Sequence, residues 1–376
     1  MQLPFGCRRL APLLLIAFAQ WVSYAVGATP RWTRSAEFPE TSFTATIEAG
    51  IRIHVNAPLD DKGRPAKATR LIIYALPAGN TIEQTLGCKM KRGLDWHYDI
   101  QHIAAQTRLL RSLASKERIV LICAEAPKRF WPYYRRTEPD ANHKIARLVA
   151  AWRQEFAGED AKVLLAGHSA GGSFMFGLIE GVDDIPAYID RIAFLDANYS
   201  FDAAMHAAKI DHWLKGGDSR RLIVIAYDDR EITFDGKKVV GPTGGTYRAT
   251  GRMRDSLKKV FPLTEKSDPP FKEWIGLRGR IRFYVHPNPE NKILHTALVG
   301  DMNGFLQFAT LGTPYEKEWG KFGGPRAFSK WIQAEPTPNI EQPRNETATK
   351  TTTASKDSSL ALAVKSQTQF PPRPND

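Results

Sequence analysis

The sequence predicts an α/β fold in which helices cover both faces of a mainly parallel, eight-stranded sheet. Strand-like and helix-like segments alternate along the chain from residue 71 to residue 311. The strand-like segments are continuous runs of Val, Ile and Leu, such as 71–76 and 119–123, which are typical of strands covered on both faces. Repeated βα units also indicate a mainly parallel sheet.

The individual elements follow from local patterns. Two strands at the start, 44–47 and 51–55, are joined by a short turn and predict an antiparallel hairpin. Residues 100–113 carry apolar side chains at helical spacing and predict the first helix. The other predicted strands are 71–76, 119–123, 162–166, 192–195, 222–227 and 281–285. The other predicted helices are 145–156, 171–180, 203–214, 247–260 and 296–311.

Both ends of the chain lie outside the predicted domain, which spans 29–333. Residues 1–28 combine Arg8 and Arg9, a short apolar run and small residues, which is typical of a cleaved signal peptide and predicts a secreted or periplasmic protein. An uncleaved N-terminal anchor is the alternative, although the apolar run is short for a full span. Residues 334–376 are rich in Pro, Thr, Ser, Lys and Gln and predict a disordered tail.

The cysteine content and the charge limit the class of protein. Cys88 and Cys123 are the cysteines of the expected mature chain; they could pair, but two cysteines do not make a disulfide framework. The formal net charge is +12, which we interpret as the basic pI of a secreted protein and not as a sign of a nucleic-acid partner. Beyond the leader we expect no stable membrane span, and the oligomeric state is not indicated.

The most informative motif is Gly167-His168-Ser169-Ala170-Gly171. A Gly-x-Ser-x-Gly pattern is weak alone, but this one lies between an apolar strand and an apolar helix. On such a sharp turn the serine has a strained backbone, so the residues two before and two after it must be small. Gly167 and Gly171 meet that requirement, and the motif therefore predicts a nucleophile elbow with Ser169 exposed at its tip.

Residues from about 40 to 315 resemble an α/β hydrolase, with GHSAGG as the elbow. The resemblance implies a Ser-His-Asp triad and places the histidine after the last strand, where His295 is favoured over His286. It allows the acid in two places. Asp228 and Asp229 follow one strand, whereas Asp196 follows the preceding one, and all three stay candidates.

The resemblance also implies an oxyanion hole made by two backbone amides. The first is that of Ala170, at the start of the helix after the nucleophile. The second comes from the loop after residues 71–76, which reads Leu-Pro-Ala-Gly-Asn and lacks the His-Gly pair of many family members. Pro77 has no N–H, so Ala78 or Gly79 is the candidate donor.

Other side chains are candidates for binding substrate. His168 neighbours the serine, Trp96 and His97 follow the oxyanion loop, and Trp131 and Tyr133 lie in the basic, aromatic segment 128–136. His97 and His102 are five residues apart, a spacing that does not favour a metal site, and no cofactor or metal is expected.

The sequence therefore predicts a secreted serine hydrolase that cleaves carboxylic esters through an acyl-enzyme. Its expected substrate is a small-molecule ester or an ester displayed on a polymer. A peptidase or amidase of the same fold, and a non-catalytic binding protein on this scaffold, are the alternatives.

Overall fold

A computed structural model of the protein describes residues 31–338. The predicted signal peptide, 1–28, lies outside the described residues, and so does the predicted tail except for 334–338. Within the described part of the chain, no helix has the length and apolar character needed to cross a membrane.

Eleven strands of the described residues form one mixed sheet, in the order β1-β2-β3-β5-β4-β6-β7-β8-β13-β12-β11. Six neighbouring strands, from β5 to β13, pair in parallel. The strands of the sheet are β1 (Thr33–Arg34), β2 (Glu40–Thr46), β3 (Arg52–Pro58), β4 (Ala68–Ala75), β5 (Ile119–Glu125), β6 (Ala157–His168), β7 (Ile189–Leu195), β8 (Arg221–Tyr227), β11 (Thr264–Asp268), β12 (Phe271–Gly276) and β13 (Ile281–His286). Two short strands, β9 (Thr233–Phe234) and β10 (Lys237–Lys238), form a separate hairpin.

Helices connect the parallel strands. They are α1 (Ile82–Leu86), α2 (Ile103–Leu113), α3 (Trp131–Thr137), α4 (Ala141–Phe156), α5 (Gly171–Glu180), α6 (Ala203–Lys215), α7 (Thr246–Lys258) and α8 (Gly304–Thr310). Because the carboxyl ends of parallel strands meet at one edge of a sheet, the loops that follow β4, β6, β7, β8 and β13 lie together there.

The core consists of two apolar layers, one on each face of the sheet. Along β4, Leu71 and Ile73 belong to one layer, and Ile72 and Tyr74 belong to the other. Successive side chains of a strand point to opposite faces, so a strand that is apolar at every position must be covered on both sides. The continuous apolar runs of the sequence are explained by this arrangement.

The sheet is larger than the eight strands that the sequence predicts. The short edge strand β1 and the antiparallel pair β11 and β12 were missed. β11 reads Thr-Glu-Lys-Ser-Asp and its first four residues are exposed, so it carries no apolar run. At the edge of a sheet a strand needs no such run, because only part of its surface is covered.

The last predicted helix, 296–311, is shorter in the structure. Residues 295–302 form turns, and α8 begins only at Gly304, after Asn303 adopts a left-handed backbone with φ of 64°. Asn tolerates that conformation because its short polar side chain can form local hydrogen bonds. The change of direction leaves His295 in a loop instead of next to a helix.

Candidate active site

The elbow at Ser169 has the geometry that the motif predicts. Ser169 lies between β6 and α5 and has a left-handed backbone with φ of 54°. A Cβ added to Gly171 would lie 2.2 Å from the Ala75 carbonyl oxygen, and one added to Gly172 would lie 1.7 Å from the Ala197 carbonyl oxygen. The helix therefore packs so closely on the neighbouring loops that only glycine fits at these two positions.

His295 and Asp196 meet beside this elbow. His295 follows β13 and Asp196 follows β7, and the His295 Nδ1 lies 2.5 Å from the Asp196 Oδ2. A carboxylate only accepts, so the proton is on Nδ1 and the Nε2 lone pair is available as a base. No hydrogen bond joins His295 to the Ser169 hydroxyl within the described residues; in unliganded enzymes this contact commonly tightens when substrate binds.

The three candidate acids have different surroundings. Asp196 is fully buried and contacts His295, whereas the Asp228 carboxylate pairs with the Arg230 guanidinium at 2.7 Å. Asp229 is also buried, and its Oδ2 accepts the backbone N–H of Thr246 at 2.7 Å. The geometry therefore places Asp196 in the position of a triad acid, and it places Asp228 and Asp229 elsewhere.

Asp229 nevertheless lies close to the acid. Thr246 is the first residue of α7, and its hydroxyl hydrogen-bonds the Asp196 Oδ1. Burial, and then the charge of Asp196, raise the pKa of the Asp229 carboxyl to about 6, and the hydrogen bonds from Thr246 act in the opposite direction. The negative charge at the N-terminus of α7 is therefore that of Asp229.

Two of the three candidate donors of the predicted oxyanion hole line the cavity. Ala78 and Ala170 both line the cavity that contains Ser169, and within residues 31–338 neither amide donates a hydrogen bond to another protein group. The Gly79 amide, in contrast, donates to the Arg129 carbonyl at 3.0 Å. Of the two candidates in that loop, Ala78 is therefore the one with an available donor.

His168 does not face the cavity, which corrects its assignment to substrate binding. Its side chain is fully buried, and its Nε2 donates to the His295 backbone carbonyl at 3.0 Å. Burial, and then the neighbouring His295, hold the pKa of His168 well below its usual range, so the ring is neutral. The centroids of the His168 and His295 rings are 4.5 Å apart, so His168 packs against His295 and supports the loop that carries it.

A cavity of about 380 Å³ opens at Ser169. Its walls are mainly apolar and come from several separate segments of the chain. They include Trp96, Phe130, Pro132, Tyr199, Tyr227, Val239, Val240 and Ile293. Ligand sites commonly combine walls of this kind with a small number of placed polar groups. Here those groups belong to Ser169, Ser173, Ser200, Asp229, His295 and Thr296.

Two other predicted wall residues lie away from the cavity. Trp131 is 1% exposed and packs edge-on against Phe174 in the core. Tyr133 is near the surface, where its hydroxyl accepts a hydrogen bond from Lys128. Helix α3 begins at Trp131, so its aromatic residues alternate between the core and the surface, and only the residues at its start reach the cavity.

The remaining histidines of the prediction have other partners. His97 pairs with the carboxylate of Asp95 and stacks on the ring of Trp96. Of the predicted wall residues Trp96 and His97, Trp96 lines the cavity. The side chain of His102 pairs with Asp99 instead of sharing a ligand with His97. His286 ends β13, and its Nδ1 accepts the Asn288 amide at 3.0 Å.

The sequence analysis missed several residues of this site, of which Thr246 and Tyr199 are the most important. Thr246 lies fifty residues from Asp196, and nothing in its neighbourhood marks it except the preceding glycines. Tyr199 and Ser200 directly follow the loop of Asp196, so their position after a strand end could have suggested them.

Comparisons with known proteins add structural neighbours. No family model matches the sequence, and no curated protein does. A thermostable esterase has 11% identity and a TM-score of 0.43, with 75% of this chain and 62% of that one covered. The feruloyl esterase module from Clostridium thermocellum has 12% identity and a TM-score of 0.40, with 70% and 88% covered. Thermogutta terrifontis esterase 2 has 11% identity and a TM-score of 0.33, with 58% and 78% covered.

The chain spans less than two thirds of the length of the thermostable esterase, and all three TM-scores are below 0.5. These likenesses therefore carry no argument, and the fold is assigned from the arrangement of the chain's own strands. An antiparallel pair leads into six parallel strands, and the strained serine lies at the end of a central one, β6. With this strand order and this elbow, the chain has the fold of the α/β-hydrolase superfamily.

Proposed function

We propose that the protein is a serine hydrolase that cleaves carboxylic esters. The single observation that carries the proposal is the contact of 2.5 Å between His295 Nδ1 and Asp196 Oδ2, next to the strained Ser169 in one cavity. A buried carboxylate that fixes the tautomer of a histidine beside a half-buried serine in a cavity is an arrangement that activates the serine.

In the proposed reaction, His295 Nε2 takes the proton of the Ser169 hydroxyl while Oγ attacks the ester carbonyl carbon. The Ala78 and Ala170 amides stabilise the negative oxygen that forms. The bond to the leaving alcohol breaks, and the protonated His295 gives its proton to the alkoxide. Water then attacks the acyl-enzyme by the same route, which releases the acid and restores Ser169.

The expected acyl group is apolar. The mainly aromatic and aliphatic walls of the cavity support this assignment, because burial of apolar ligand surface is favourable there. The same triad geometry also serves peptidases and amidases.

Export through residues 1–28 stays part of the proposal. The proposed substrate is therefore secreted or periplasmic, and it is either a small ester or an ester on a polymer.

A substrate panel tests the proposal. Purified protein is assayed with short- and long-chain p-nitrophenyl esters and with peptide p-nitroanilides, as wild type and as Ser169→Ala. Ser112→Ala is the matched control, because that hydroxyl donates to the Leu109 carbonyl in α2. We expect ester turnover that Ser169→Ala abolishes and Ser112→Ala retains.

Other outcomes separate the alternatives. Turnover of the anilides without turnover of the esters would indicate an amidase or peptidase. No turnover of any substrate by folded wild-type protein would favour a binding protein on this scaffold and would contradict the proposed activity.

A further inference from the structure

Two buried carboxyl groups lie on either side of Thr246. The Thr246 hydroxyl contacts the Asp196 Oδ1, and its backbone N–H donates to the Asp229 Oδ2 at 2.7 Å. The same Asp229 oxygen lies 3.3 Å from the Thr246 hydroxyl oxygen. A chain of contacts therefore runs from Asp229 through Thr246 and Asp196 to His295.

The hydroxyl of Thr246 has one proton, which it can donate to one acceptor. Its contact with Asp196 is the shorter of the two, so Asp196 receives the proton. The other oxygen of Asp196 accepts from His295. The rotation of the Asp196 carboxylate is thus fixed from both sides, on a backbone that is itself left-handed, with φ of 49°.

Asp229 is buried beside Thr246, at the wall of the cavity that contains Ser169. Its side chain is 3% exposed, and within the described residues its Oδ1 has no hydrogen-bond partner. A Cβ added to Gly245 would lie 2.5 Å from the Asp229 Oδ2, so the chain leaves space for this carboxyl group by having glycine next to Thr246. Burying a carboxyl with an unpartnered oxygen is costly, and such groups are commonly kept for a role in function.

We propose, on the basis of the ester hydrolysis proposed above, that Asp229 is a positioning residue. It fixes Thr246 at the start of α7, and Thr246 fixes the carboxylate of Asp196. Its negative charge also lies next to the carboxylate of Asp196. Asp229 borders the cavity, but its role in this proposal is to act through these neighbours and not on the substrate.

The charges that face Asp229 come from four elements. Asp196 follows β7 and is the nearest negative charge, while Tyr199 and Tyr227 are the titratable phenols beside it. On its own loop, Asp228 and Arg230 pair with each other. Arg248 of α7 donates to the Gly241 and Gly244 carbonyls, and His295 lies on the far side of Asp196.

Asp229→Asn and Thr246→Val separate the two parts of the proposal. Asparagine keeps the acceptor for the Thr246 amide but does not titrate. We therefore expect the kcat profile of Asp229→Asn to lose the inflection near pH 6 that the Asp229 carboxyl gives the wild type. Valine keeps the shape of Thr246 but removes its hydroxyl, so we expect kcat to fall about tenfold or more with little change in KM.

Asp228→Asn is the matched control, since it removes a neighbouring carboxylate that pairs with Arg230 outside the chain of contacts. We expect it to keep the wild-type pH profile. A melting curve and a circular dichroism spectrum establish that each variant is folded, and Thr246→Ser, which restores the hydroxyl, is expected to recover most of the kcat lost in Thr246→Val.

An inflection near pH 6 that persists in Asp229→Asn would overturn the role of its charge. Wild-type kcat in Thr246→Val would overturn the positioning role. Both results require a wild-type enzyme that hydrolyses esters, so they differ from a failure of the proposed function, in which the wild type itself has no activity.

Discussion

The Asp229→Asn substitution is expected to make the protein more stable at neutral pH. The carboxyl has a pKa of about 6 in the folded protein, against an ordinary value of 3.8. The folded state therefore binds this proton more tightly than the unfolded state does. The contribution of this proton binding to the free energy of unfolding is fully present below about pH 4 and is lost as the pH rises through 6.

The size of the effect follows from the same two values. A difference of about two pKa units corresponds to about 3 kcal/mol, at roughly 1.4 kcal/mol per unit. Asparagine does not titrate and keeps an acceptor for the Thr246 amide. The free energy of unfolding of Asp229→Asn, relative to wild type, should thus increase by about 3 kcal/mol between pH 4 and pH 7.

Urea unfolding followed by circular dichroism at pH 4, 5, 6 and 7 measures this difference. Asp228→Asn is the control, because the hydrogen bond from Arg230 lowers the pKa of the Asp228 carboxyl below its ordinary value of 3.8. Its stability relative to wild type should fall with rising pH only up to about pH 4 and stay nearly constant from pH 4 to pH 7. A difference between Asp229→Asn and wild type that stays constant from pH 4 to pH 7 would refute the reasoning.

Three further substitutions test other parts of the account. Asp196→Asn should lower kcat about 10³- to 10⁴-fold on p-nitrophenyl esters, because the histidine loses the group that fixes its tautomer; a loss under tenfold would exclude Asp196 as the triad acid. His168→Phe keeps a ring but removes the hydrogen bond to the loop of the catalytic base, so kcat should fall about tenfold in a steady-state assay, whereas an unchanged kcat would exclude this support. Gly172→Ala should lower the free energy of unfolding by about 3 kcal/mol or more, because its Cβ would lie 1.7 Å from a carbonyl oxygen; Gly251→Ala, where nothing lies within 4 Å, is the control that should not.

The sequence predicts the central part of the fold because that part depends on continuous apolar runs. Strands that are covered on both faces leave such runs, and the elbow adds a spacing of small residues around Ser169. The edge strand β11 leaves no such signal, because exposed strands tolerate polar side chains, and the short strand β12 beside it mixes polar and apolar residues.

The choice of acid could not be made from the sequence. Asp196 and Asp229 both follow parallel strands, and both side chains reach the same edge of the sheet. What separates them is the first turn of α7, whose Thr246 amide takes the Asp229 carboxylate and leaves Asp196 for His295. That contact depends on the path of the loop from 228 to 245, which no local pattern gives.

Aromatic residues near the site were harder to place than polar ones. Trp131 and Phe130 are neighbours in a basic, aromatic segment, yet one is buried in the core and the other lines the cavity. Phe130 has an extended backbone just before α3 and Trp131 is the first residue of the helix, so their directions depend on where the helix begins.

Labelling with a fluorophosphonate tests the central claim, that Ser169 is an activated nucleophile. Folded wild-type protein is treated with the probe, digested, and analysed by mass spectrometry to find the modified residue. We expect one label, on Ser169, with a rate that falls by orders of magnitude in Asp196→Asn and no label in Ser169→Ala. Folded protein that is not labelled at Ser169, or that is labelled equally fast in Asp196→Asn, would contradict the claim.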